Sequence, residues 1–206
     1  MIAESVAYLL SVFLVISLVL VIQEFIMIKL NKRWWDKWNK NKRNFPFFYK
    51  GKELWYSRSV ATALFVFAKD ANNNLYVLAN KRGSGTPDYQ GYWNCMCGYI
   101  DYDETAERCA TRECKEETGL DIPEDKLRLV GIESSPSANR QNITIRYMAL
   151  LDETLTKDSP LMNFDTSNSE EDEVADIRWI NIDDIDLYDW AFNHNKRIKK
   201  IVENLL

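Results

Sequence analysis

Residues 98–120, GYIDYDETAERCATRECKEETGL, constrain this chain more than any other stretch. They carry Glu104, Arg112, Glu113, Glu116 and Glu117 between Gly98 and Gly119, while the segments on either side read as apolar core strands. Residues three and four apart share a helix face. A helix over 104–118 therefore gathers Glu113, Glu116 and Glu117 into one patch and leaves Ala106, Cys109, Ala110 and Cys114 small enough to press against a sheet. Three carboxylates on one patch repel one another unless something compensates. A hard divalent cation such as Mg²⁺, which takes oxygen ligands and keeps places for water and phosphate, does so. Arg112 lies two turns beyond Glu104, within reach of a forked contact to its carboxylate. Gly98 permits close approach of backbone to a cation, and Gly119 suits a left-handed helix cap.

The rest of the chain supplies the sheet. SVATALFVFAK (59–69) and LYVLANKR (75–82) are rich in β-branched and aromatic residues around the turn DANNNL, so a hairpin is expected. Residues 93–98 read as a short strand, and KLRLVGIESS, ITIRYMALLDE and ADIRWINI as three more. SPLMNFDTSNSEEDEV is a polar excursion. DWAFNHNKRIKKIVENLL is an amphipathic terminal helix with Ile198, Ile201, Val202 and Leu205 on one face. The expected fold class is α/β (α+β), a mixed sheet with few helices.

Ahead of this body, Val6–Ile22 is uncharged and almost wholly apolar, at the short end of what spans a bilayer. A cleavable signal peptide would need a basic start and a small-residue cleavage site, and neither is present near it. A single transmembrane helix is expected within residues 1–28. Lys29, Lys32, Arg33, Lys37, Lys40, Lys42 and Arg43 all follow it, which places the remainder in the cytoplasm. Leu30, Trp34 and Trp38 recur on one helical face of a basic, aromatic juxtamembrane linker, residues 29–54, suited to the lipid headgroup region. Pro46 and Gly51 break any helix continuing from it. The folded domain is expected over 55–206.

The net charge is −5, and the first 43 residues hold seven basic side chains against Glu4, Glu24 and Asp36. That surplus of +4 leaves −9 on the remainder, which disfavours nucleic acid as a partner. The four cysteines, Cys95, Cys97, Cys109 and Cys114, lack metal-ligand spacing and read as reduced, buried thiols.

Gly98, five residues, Glu104, seven residues, then Arg112-Glu113-Cys114-x-Glu116-Glu117-x-Gly119-Leu120 resembles the Nudix box, G-x5-E-x7-R-E-U-x-E-E-x-G-U with U apolar, without a gap. The resemblance extends over roughly residues 55–206. It implies a Nudix-like α/β/α sandwich and Mg²⁺- or Mn²⁺-dependent hydrolysis of a small nucleoside diphosphate derivative. Carried over, Glu116 and Glu117 are the main metal ligands. Glu113 is a further ligand or the base that activates water, Glu104 a ligand through water or the partner of Arg112, and the Gly98 carbonyl a further ligand. Many members have Gly-Gly before the box and Gly before its first glutamate, where this chain has Cys97-Gly98 and Asp103-Glu104. Those departures bear on substrate more than on catalysis.

Family members often add an acidic residue from a late loop. Glu170, Glu171 and Glu173 stand there, and Glu173 is the choice for extra ligand or base. Arg58, Lys81 and Arg82 end strands where a phosphate could be met, with Arg58 and Arg82 preferred as substrate contacts. Trp55, Tyr56 and Trp93 read as core before base-stacking groups, and His194 as a structural hydrogen-bonding residue. The expected partners are the nucleotide substrate, the lipid bilayer and, left open, a second copy in a homodimer. The rival readings are a non-catalytic nucleotide-sensing module at a membrane, an isoprenoid diphosphate isomerase of related fold, and a membrane scaffold with secondary enzyme activity.

Overall fold

The computed structural model describes residues 57–139 and 141–204 with their side chains, the backbone of 45–49 and 52–56, and positions 15, 17–19 and 22. The chain divides into two units, Met1–Ser57 and Arg58–Leu206.

In the first unit, β1 (Phe45–Tyr49) and β2 (Lys52–Tyr56) pair antiparallel, Phe45 opposite Tyr56. The stretch read as a break is thus a hairpin, and it crosses the expected 54/55 boundary. Val15, Leu18, Val19 and Ile22 are helical and exposed. Beyond these and Ser17, the transmembrane segment lies outside the described residues, as do Leu30, Trp34, Trp38 and the basic flank. Among the described residues no helix is long and apolar enough to cross a membrane.

The second unit is built on β3 (Ser59–Asp70), whose central residues are buried on both faces. It runs parallel to β8 (Asn142–Leu155), and β8 pairs antiparallel with the edge strand β7 (Arg128–Glu133). On its other side β3 meets β4 (Leu75–Arg82) at Phe67–Lys69 only. The two then diverge, and residues 93–99 fill the wedge. β5 (Trp93–Asn94) pairs with β4, the chain steps across at Cys95, and β6 (Met96–Tyr99) pairs with β3 at Ala61–Leu64. The expected single strand is therefore two short ones that change partner. β9 (Val174–Asn181) closes the far edge of β4.

Alternation along β3 explains the layers, because successive side chains point to opposite faces. Ala63, Phe65 and Phe67 join Val77, Ala79, Trp93, Cys95 and Met148 in one buried cluster, covered by Ile198 and Ile201 of α2 (His194–Glu203). Leu64 and Val66 join Leu78, Met96 and Tyr147 in the other, covered by Ala110 and Cys114 of α1 (Ala106–Thr118). A mixed sheet between two helices is the expected sandwich. Val202 packs on its cluster as foreseen, and Leu205 lies outside the described residues. All four cysteines are free thiols.

Helix α1 starts two residues later than expected. The Thr105 hydroxyl accepts a hydrogen bond from the Arg108 amide at 3.2 Å and caps the helix there, so Glu104 stands before it. Gly119 ends it at φ 80°, and a Cβ there would sit 2.6 Å from the Asp165 amide nitrogen, so both conformation and space demand glycine. The terminal helix likewise begins late, at His194, because Phe192 and Asn193 adopt left-handed φ of 56° each.

Candidate active site

The wedge sets Gly98 on β6 opposite Thr62 of β3 and directly beneath α1. A Cβ on Gly98 would run into the carboxylate of Glu113. The bare backbone of Gly98 thus leaves room for the Glu113 carboxylate. The Cys109 thiol also faces this turn, 3.4 Å from the Tyr99 carbonyl oxygen and 3.9 Å from that of Gly98.

Arg112 organises the cluster. Its Nε and Nη2 donate to the two oxygens of Glu104 at 2.7 and 3.0 Å, the fork expected from the spacing. Its Nη1 donates to Glu113 Oε1 at 2.8 Å and to Glu116 Oε2 at 2.9 Å. Hydrogen bonding to Arg112 holds Glu104 below the usual carboxylate range, with the Asp101 amide assisting. Glu104 is placed as the partner of Arg112. Burial pushes Glu113 up to about 7 against the opposing pull of Arg112, and the charges of Glu116 and Glu173 push the same way as burial.

Glu117 is the most enclosed of the set, 3% exposed. Its Oε2 accepts a hydrogen bond from Asn80 Nδ2 at 2.8 Å. Burial raises its carboxyl well above the ordinary value, and the negative charges of Glu113 and Glu173 raise it further. The Cys97 amide and the Arg82 charge oppose this less strongly. A carboxylate buried beside a neutral amide and the charges of Glu113 and Glu173 is one that a bound cation would stabilise. The donor set is all oxygen, which suits Mg²⁺ or Mn²⁺. Among the described residues no three acidic, His or Cys side chains form a ready cage, and Arg112 occupies oxygens of Glu113 and Glu116.

Glu173 belongs to this neighbourhood, since its charge acts on both Glu113 and Glu117. Two glycines hold its loop. The Gly83 amide donates to the Glu173 carbonyl at 2.6 Å and the Gly85 amide to that of Asp172 at 2.9 Å, and a Cβ on either would strike that backbone.

The substrate candidates part company. Arg82 ends β4 beside the cluster, bonded to Asp88 at 2.7 Å and lying 5.1 Å from the centre of the Phe192 ring. Arg58 donates to the carbonyls of Ser134 and Asn139 at 2.6 Å each and to that of Asn142, tying β3 to the β7–β8 loop; none of these partners is a box carboxylate. Trp93 is core, and His194 accepts a hydrogen bond from the Cys95 amide at 3.0 Å through Nδ1. Burial pushes His194 down to about 3, so it is a neutral structural residue. The side chains of Trp55 and Tyr56 lie outside the described residues. Asn80 was not foreseen; its signal was an amide closing the apolar run Leu75–Ala79 of β4.

One consequence is measurable in solution. A carboxyl that binds its proton more tightly when folded adds stability in acid and loses it as pH rises from the unfolded to the folded value. For Glu113 that window runs from 4.5 to about 7. In metal-free protein, the unfolding free energy of wild type minus that of Glu113→Gln should fall by up to about 3 kcal/mol across it. Denaturant titrations in chelator measure this, and a flat difference would contradict the burial of Glu113.

Solved structures share this fold. The NUDIX domain of Shewanella oneidensis NrtR, complexed with ADP ribose, is 21% identical, with 73% of this chain and 90% of that one covered at a TM-score of 0.59. A bifunctional NMN adenylyltransferase/ADP ribose pyrophosphatase from Francisella tularensis, complexed with AMP and a Mn ion, is 19% identical at a TM-score of 0.57. There 86% of this chain matches 46% of the other. A MutT/nudix family protein from Listeria innocua is 22% identical, covering 71% and 93%, at a TM-score of 0.50. A search of curated protein sequences finds no match. The family profile of the NUDIX domain matches residues 57–205, and the chain belongs to the NUDIX family.

Proposed function

We propose that this Nudix hydrolase splits the diphosphate linkage of a small nucleoside diphosphate derivative. The carrying observation is that Arg112 draws Glu113 and Glu116 together, the Glu113 carboxylate lies against Gly98, and the buried Glu117 stands within reach of the Glu113 charge. Glu113, Glu116 and Glu117, with the Gly98 carbonyl, would hold Mg²⁺ or Mn²⁺, which neutralises phosphate charge and makes a water nucleophilic. Arg112 fixes Glu104 and steers Glu113 and Glu116. Glu113 and Glu173 are the candidate bases for the attacking water. Arg82 meets the substrate phosphates, and Arg58 supports the rim of the site by holding the β7–β8 loop.

The ADP-ribose complex of the Shewanella domain and the ADP ribose pyrophosphatase activity named for the Francisella protein make ADP-ribose-type compounds the first candidates. A second reading, nucleotide sensing without cleavage, draws on NrtR itself, which also forms a complex with a 27-mer DNA. The complete carboxylate set favours hydrolysis. A screen of ADP-ribose, nucleotide sugars, dinucleotides, NADH and nucleoside triphosphates with Mg²⁺ or Mn²⁺ decides. Turnover of at least one compound is expected, and tight binding without turnover would select the sensor.

The anchor belongs to the same reading. Val6–Ile22 would hold the domain, 55–206, at the cytoplasmic face of a membrane, with 29–54 as linker. Its support is the apolar run and its one-sided basic flank. The full chain should stay with membranes in high salt, and release by salt alone would defeat the anchor.

A further inference from the structure

Arg146 lies on β8 outside the carboxylate cluster. Register places it opposite Ala63 of β3, which is opposite Cys97 of β6. The three side chains share the α2 face of the sheet, two strand spacings or about 10 Å from end to end. Cys97 is also the near end of the carboxylate site, because it directly precedes Gly98, against which the Glu113 carboxylate packs.

The Arg146 side chain is only 16% exposed. Among the described residues it makes no hydrogen bond, and its one ion pair, to Glu133 Oε2, is long at 3.9 Å. That oxygen already accepts a 3.0 Å hydrogen bond from Arg197 of α2. Two guanidinium groups thus share one carboxylate. Buried His194 stands close enough to feel both of them and Arg82, and it is neutral. A guanidinium carries five donors, and this half-enclosed one, with only a long ion pair to the shared Glu133 carboxylate among the described residues, keeps donors free for a ligand. Its planar fork matches the oxygens of a phosphate.

We propose that Arg146, supported by Arg197, binds a phosphate of the substrate beyond the diphosphate that is cleaved, so that the preferred substrates carry an additional phosphate on the nucleoside or sugar remote from the scissile bond. This rests on the hydrolase reading above. Arg146 is a specificity residue, touching substrate without taking part in bond cleavage.

The test compares pairs that differ by one phosphate. Equilibrium binding is measured in chelator with AMP, adenosine 2′,5′-bisphosphate and adenosine 3′,5′-bisphosphate, and turnover with NADH against NADPH and with ADP-ribose against its 2′-phosphate. Wild type is expected to favour one phosphorylated member at least tenfold in Kd and in kcat/KM. Arg146→Gln should remove that preference by raising Kd and KM for that member alone, and Arg146→Lys should restore part of it. Thermal midpoints of both variants should match wild type, since the group removed is poorly paired. Equal binding within every pair by folded wild type, or a preference unchanged in Arg146→Gln, overturns the proposal and leaves the hydrolase reading intact. Absence of turnover on any compound, with the phosphorylated binding preference present and lost in Arg146→Gln, defeats the hydrolase reading and leaves the phosphate site standing.

Discussion

Glu117→Gln is expected to lower turnover by at least about 10²-fold, the scale of loss when one group stabilising developing charge is removed, while raising the thermal midpoint of the metal-free protein. The side chain is 3% exposed and its Oε2 receives the Asn80 amide at 2.8 Å, a contact that glutamine's carbonyl oxygen can keep. Shape is thus preserved, and only the charge is removed. Without metal, that charge is repelled by Glu113 and Glu173 and disfavoured by burial, so its loss stabilises the fold. Under the proposed ligation the same charge would hold the cation, so added Mg²⁺ or Mn²⁺ should raise the midpoint of the variant less than that of wild type. Glu116→Gln should lower turnover comparably but stabilise less, because its side chain is 38% exposed. Near-normal turnover in both variants, by steady-state assay, would remove these residues from the chemistry.

Gly98→Ala should be almost as damaging to turnover, by a different route. The added methyl would occupy the space of the Glu113 carboxylate. Either Glu113 swings away from Arg112 and Glu116, or β6 shifts from its pairing with β3. Overpacking of this kind costs about 1–3 kcal/mol. The double variant Gly98→Ala/Glu113→Ala separates the two outcomes. Removing the carboxylate relieves the overlap, so stability should recover while turnover stays low, a non-additivity expected of residues in contact. Additive losses of stability would show that the two do not touch.

The box was legible because its chemistry depends on spacing. Three carboxylates at i, i+3 and i+4 meet on any helix, and Arg112 reaches Glu104 whether that residue opens the helix or precedes its cap. The layers of the sandwich were legible in β3 and β4, where the apolar pattern declares which elements are buried. What escaped depends on partners distant in sequence. Nothing in residues 93–98 says that β3 and β4 diverge, so the division at Cys95 could not be read. Pro46 and Gly51 read as helix breakers, and Pro46 lies in a strand of the β1–β2 hairpin, whose aromatic residues favour extended backbone. The helical pattern alone does not mark the start of α1, which the Thr105 cap decides. Arg58 stands at a strand end like Arg82, and only the tertiary fold shows that one binds backbone carbonyls while the other neighbours Glu117. Asn80 and Arg146 looked like ordinary strand residues because their significance is burial.

The most direct measurement follows the oxygen of the attacking water. The carboxylate cluster can bring charge-neutralising cations to phosphate oxygens, and none of the box residues is suited to stabilise a departing sugar carbon. Hydrolysis of the preferred compound in water labelled with heavy oxygen, with Mg²⁺ or Mn²⁺ present, should place the label in one phosphate-bearing product, seen by mass spectrometry, and excess chelator should stop the reaction. Label in a sugar hydroxyl, or undiminished turnover in chelator, would contradict metal-dependent cleavage of a diphosphate at this site.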